Sequence, residues 1–157
     1  MKKRLLMWGL ATVVTSVLLI CGLFVFYPPS PFPKDIRSNT TTPLYYPTKL
    51  PPKFTINQNS FSEKNGVVLY SFDTPDGNKL NVTVEKAPKN YNFDDLYGTT
   101  MEDTKTVATP LGSAHIGTLG ENTMASMVTG GTWILAVYSQ SGASDDLASI
   151  MKSFKLY

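Results

Sequence analysis

The sequence predicts an α+β protein: an N-terminal transmembrane helix, then an antiparallel sheet with a C-terminal helix packed on it. Three observations carry that expectation. Residues 5–27 form an apolar run without a charge. The stretch 66–86 alternates apolar and polar residues around a turn sequence, and 123–139 flanks Gly130-Gly131 as a second strand pair. Residues 144–154 place apolar side chains at helical spacing.

The run Leu5–Tyr27 reads LLMWGLATVVTSVLLICGLFVFY. At 1.5 Å rise per residue it reaches about 34 Å, enough for a hydrocarbon core of about 30 Å. Leu, Ile, Val and Phe fill most of it, and each favours insertion by about 0.3 to 0.6 kcal/mol. Thr12, Thr15 and Ser16 can bond back to helix carbonyls. Lys2, Lys3 and Arg4 precede the run, and the YPPSPFP stretch that ends it carries no charge. The positive-inside rule then puts residues 1–4 in the cytoplasm and the chain after Tyr27 outside. The expected setting is the cell membrane, crossed once, with the lipid bilayer as partner through residues 5–27. Trp8 and Tyr27 suit the two interfaces.

Three other readings compete. A cleaved signal peptide calls for a shorter apolar region and small residues at its exit, where this chain has Phe24, Phe26 and Tyr27. The stretch Leu18-Leu19-Ile20-Cys21-Gly22 resembles a lipoprotein processing site, but Ile20 is large for its position and apolar residues follow. A buried core helix would need one polar face less apolar than this run offers. Cys21 is the single cysteine of the chain, so the outer part has no disulfide.

Residues 28–53 hold eight of the 11 prolines. Proline fixes φ and removes an amide donor, so this stretch predicts an extended spacer rather than a helix or central strand. Fully extended, residues 28–42 would lift a domain on the order of 40 Å. A proline-motif ligand is the functional alternative. Asn39-Thr40-Thr41 and Asn81-Val82-Thr83 match the glycosylation sequon, a short and common motif.

The 54–157 segment predicts the folded domain. Val68, Tyr70 and Phe72 alternate with other residues, as do Leu80, Val82 and Val84, across Thr74-Pro75-Asp76-Gly77-Asn78. This is an antiparallel hairpin with one buried face. Thr123–Thr129 and Thr132–Ser139 flank Gly130-Gly131 as a second hairpin. In its latter strand Trp133, Leu135 and Val137 oppose Ile134, Ala136 and Tyr138, which predicts a central strand covered on both faces. Weaker strands are expected at 53–57, 104–109 and 113–119. Asn92 can cap a short turn over 93–97, and Ser144 can cap the final helix, with Asp145 and Asp146 at its positive end. Leu147, Ile150, Met151 and Phe154 form its buried stripe.

The order of anchor, Pro-rich stretch, Tyr46-Pro47-x-x-Leu50-Pro51-x-x-Phe54, Asp76-Gly77 hairpin, Thr109-Pro110-Leu111-Gly112 turn and closing 145–154 helix resembles a known group. It is similar to uncharacterised bacterial extracytoplasmic domains behind membrane anchors, some attached to anti-sigma factors. The closing helix is also similar to the PsbP/Mog1-like group. The resemblance implies a fold class and a cell-envelope setting, and carries over no catalytic residue.

The whole chain has 14 Lys+Arg against 12 Asp+Glu. Removing Lys2, Lys3 and Arg4 leaves 11 against 12, a net −1 for 28–157. That balance disfavours nucleic acid as partner. It gives no general attraction to anionic lipid either. His115 is the only histidine. A Ser-His-Asp site or a metal site would need partners around it; the plain reading is a strand histidine. Asp94-Asp95 with Glu102-Asp103 could bind a divalent cation but lacks the spacing of an EF-hand; the plain reading is a helix start and a solvated loop. Tyr45, Tyr46, Tyr91, Phe93 and Tyr97 could form a surface for peptide or glycan, or could pin chain segments to the sheet. The glycines at 112, 117, 120, 130 and 131 are spaced as strand punctuation, not as a phosphate loop.

The expectation is therefore a non-enzymatic envelope protein, without catalytic, cofactor-binding or metal residues, whose outer domain mediates binding or assembly with an envelope protein or peptide. The alternative is a small-ligand or peptide-binding sensor with an apolar pocket. An enzyme built on Asp94, Glu102 or His115 is the third.

Overall fold

The computed structural model describes residues 29–89 and 100–157. The expected anchor at 5–27 and the expected turn at 93–97 lie outside the described residues. Among the described residues no helix is long and apolar enough to cross a membrane. Phe32–Tyr157 forms one compact unit.

That unit is mostly antiparallel sheet with a C-terminal helix. Strands β2 (Thr55–Ile56), β3 (Ser62–Lys64), β4 (Val67–Asp73), β5 (Lys79–Lys86), β6 (Glu102–Thr109), β7 (Gly112–Leu119), β8 (Asn122–Thr129) and β9 (Thr132–Tyr138) make one sheet. Its order is β2-β4-β5-β9-β8-β7-β6, with β3 also on β4. Strands β6 to β9 form a meander, and β9 returns beside β5. The expected hairpins are present as β4–β5 and β8–β9. The three weaker strands are present as β2, β6 and β7.

Alternation sorts the side chains. One row across the sheet runs Val68, Val84, Ile134 and Met127, and the next runs Tyr70, Val82, Ala136, Ala125 and Ile116. All are at most 2% exposed. Helix α2 (Ser144–Lys152) lies against β6, β7 and β8. Leu147, Ile150, Met151 and Phe154 are buried as expected. Each contributes about 2 kcal/mol at most by leaving water.

Two details of the closing element differ from expectation. Ala143, not Ser144, holds the cap position, and Ser144 is the first helical residue. The reason is a buried anchor: the Ala143 amide donates to Thr123 Oγ1 at 3.3 Å, which fixes where the helix starts. Phe154 belongs not to the helix but to a last strand, β10 (Phe154–Leu156). Strand β10 pairs with β1 (Tyr45–Pro47) as a separate two-stranded sheet.

Residues 32–53 are not an extended spacer. They contain helix α1 (Lys34–Asn39) and strand β1, and Phe32, Ile36, Leu44 and Tyr45 are buried in the domain core. Pro33 sits at the cap of α1, where a missing amide costs nothing. Pro47 sits in an edge pairing, which tolerates it. Geometry explains why the sheet needs this cover. Seven strands span about 29 Å at ~4.8 Å per strand. A helix of nine residues is about 13 Å long. It reaches β6–β8 and leaves the β4 side open.

Aromatic rings close that side. Tyr70 stacks on Tyr46 at 5.5 Å and on Phe61 at 5.6 Å, and meets Phe32 edge-on at 5.6 Å. Burial, with Tyr157 adding to it, pushes the Tyr46 hydroxyl pKa up to about 12. Tyr70 is buried and its pKa is also raised well above the ordinary tyrosine value, first by burial and then by Tyr46. Tyr45 and Tyr46 therefore pin the chain to the sheet; Tyr91, Phe93 and Tyr97 lie outside the described residues.

Strand β9 is central, between β5 and β8, as expected. Its two faces are not equally covered. Ile134, Ala136 and Tyr138 are buried, whereas Trp133, Leu135 and Val137 are only half-buried. Helix α2 and the 32–47 segment both pack on the core side, so the opposite face receives less cover.

Candidate functional site

Among the described residues, His115 on the one hand and Glu102 and Asp103 on the other are not gathered into one centre. His115 sits half-buried on β7, and its Nδ1 lies 3.3 Å from the Thr106 hydroxyl on β6. Glu102 and Asp103 are exposed at the start of β6. Asp94 and Asp95 lie outside the described residues. Among the described residues, no three His, Cys, Asp or Glu side chains form a group able to hold a metal.

Asp76 is the most strongly organised carboxylate. It accepts from the Thr74 hydroxyl, from Asn78 Nδ2 at 2.8 Å and from the Asn78 amide at 3.2 Å. The Thr74 bond first, then those from Asn78, hold its pKa down at about 2. Tyr138 also donates to it at 3.3 Å. Each bond is local to the β4–β5 turn or its neighbour β9, so this carboxylate serves the hairpin.

The better candidate is an open cleft of about 440 Å³ where four chain segments meet. Thr41 to Pro43 supply one wall, and Asn65 to Val67, at the β3–β4 turn, supply another. Glu85 and Lys86 close the end of β5, and Gly130 to Thr132 are the β8–β9 turn. The backbone is fixed around it. Thr42 Oγ1 donates to the Gly66 carbonyl, the Gly66 amide donates to Glu63 at 2.9 Å, and the Ala87 amide donates to the Gly131 carbonyl at 2.9 Å. Gly66, Gly130 and Gly131 all have φ between 55° and 79°, the left-handed region that glycine enters without strain. The lining mixes hydroxyls, an amide and one charge of each sign. Such a set can recognise a hydrogen-bonding ligand.

A second cleft, of about 480 Å³, lies at the other end of the 41–49 segment. It is lined by Thr48, Lys49, Pro110, Ser149, Lys152, Ser153, Phe154 and Lys155. Nothing in the local sequence signals either cleft, because each draws on residues far apart along the chain.

No protein-family profile matches this chain, and no curated protein matches it in sequence.

Proposed function

We propose that this chain is a non-enzymatic single-pass membrane protein whose extracytoplasmic domain mediates binding or assembly in the cell envelope. The anchor rests on the apolar run 5–27 and the charges before it. The binding role rests on one observation, the polar cleft bounded by Thr41, Asn65, Glu85 and Thr132. Its volume falls in the range of ligand sites, about 300 to 1,000 Å³. That size also favours a second reading, a small-ligand or peptide sensor using the same cleft.

Partners in this reading are envelope proteins or peptides.

The test uses the full chain in its native membrane, with a photo-crosslinking residue at Lys86. A discrete crosslinked product that fades on Thr41→Trp, with the fold intact by circular dichroism, supports binding in this cleft. A crosslink pattern indifferent to Thr41→Trp overturns it. Protease added to intact cells checks the setting: a C-terminal portion that resists digestion while the membrane is sealed, and yields once it is opened, would sink the external placement.

A further inference from the structure

Lys49, Lys152 and Lys155 reach the second cleft from three different elements. Lys49 follows β1, Lys152 ends α2, and Lys155 is the middle residue of β10. Long-range bonds hold these backbones together. The Thr48 amide and hydroxyl donate to the Ser153 carbonyl at 3.0 and 2.9 Å, and Ser153 Oγ donates to the Lys49 carbonyl at 3.0 Å. Among the described residues, the remaining lining is hydroxyl or apolar, with no carboxylate. The single ion pair among the described residues, Lys105 with Asp145, uses the first turn of α2 instead. Residues 28–157 carry a net −1, so three lysines in one cleft do not follow from an overall basic composition.

Like charges brought to one cleft repel one another, and an anion between them removes that repulsion. Lysine is a point-charge binder of phosphate, and a phosphate ester presents up to two negative charges and several acceptor oxygens. We propose that this cleft binds a phosphate-bearing anion through Lys49, Lys152 and Lys155. This site stands apart from the Thr41–Thr132 cleft and does not depend on what that cleft binds.

The probe is inorganic tripolyphosphate, titrated into the full chain in dodecyl maltoside micelles at low salt. Lysines carrying ¹³C-dimethyl labels report each position by NMR. The expected result is saturable shifts confined to Lys49, Lys152 and Lys155, weakening as salt shortens the Debye length. The triple variant Lys49→Gln, Lys152→Gln, Lys155→Gln lowers affinity about tenfold or more, and the matching change at Lys34, Lys64 and Lys79 leaves it within about twofold. Replacing the three by arginine retains binding and guards against a folding defect. Equal losses in the two glutamine triples, shifts spread over all lysines, or no saturation overturns the proposal. Vesicles of phosphatidylglycerol against soluble glycerol phosphate polymer then separate a lipid headgroup from a free phosphate polymer; binding to neither overturns it as well. A failed titration beside a successful Lys86 crosslink would remove this site alone.

Discussion

The Tyr70 hydroxyl donates to the Tyr45 carbonyl at 2.7 Å, inside the core. This one bond joins the middle of β4 to the segment whose prolines suggest a spacer. Tyr70→Phe should lower stability by about 1 to 2 kcal/mol, because a buried carbonyl loses its donor. Phe32→Ala should cost more, about 3 to 5 kcal/mol, by opening a cavity among Tyr46, Phe61 and Tyr70. Urea unfolding of the full chain in detergent measures both. A silent Phe32→Ala would return residues 32–53 to the role of linker.

The Tyr46 hydroxyl should leave a signature at high pH. Its folded pKa, about 12, lies above the unfolded value of 10.0. A raised pKa in a group that is neutral when protonated gives stability that is complete below pH 10 and declines as pH climbs toward 12. Absorbance at the tyrosinate band should show late-titrating tyrosine, diminished in Tyr46→Phe. Tyrosines that all titrate together near pH 10 would contradict the packed cluster.

Asp76 gives the opposite sign. Its folded pKa is about 2, below the ordinary carboxyl value of 3.8. Its contribution is therefore present above about pH 4 and disappears as pH falls toward 2. Melting temperatures of wild type and Asp76→Ala should differ at pH 6 and converge by pH 2. A gap that stays constant over that window would show that the charge is not what the turn uses.

Gly117 departs from the expected role of strand punctuation. It lies inside β7, and an added Cβ would stand 3.0 Å from both Cβ and Sδ of Met101. Gly117→Ala should cost about 1 to 3 kcal/mol by overpacking. Met101→Ala should relieve part of that cost in a double-mutant cycle. Strict additivity of the two changes would place the strain elsewhere.

The hairpins were legible because a period of two needs only neighbouring residues: Val68, Tyr70 and Phe72 declare their own face. The helical stripe at Leu147, Ile150 and Met151 was legible for the same reason. The prolines of 32–47 mask its fold, although large apolar residues stand between them. Phe32, Ile36, Leu44 and Tyr45 were the signal, since a solvated spacer has no use for four such side chains. The clefts were not legible at all. Lys49 and Lys155 line one cleft because β1 pairs with β10, and no local pattern records that pairing.

That pairing also bears on the order in which the protein acquires its structure. Tyr45 and Leu156 are partners across nearly the whole domain sequence, whereas β6 to β9 join through short turns. Closing the longest loop carries the largest entropy cost, so the meander should assemble first and the β1–β10 clasp last. In a refolding experiment the environment of Trp133 would then settle before the near-ultraviolet dichroism of the tyrosine cluster. On partial unfolding the same clasp would be the first to release.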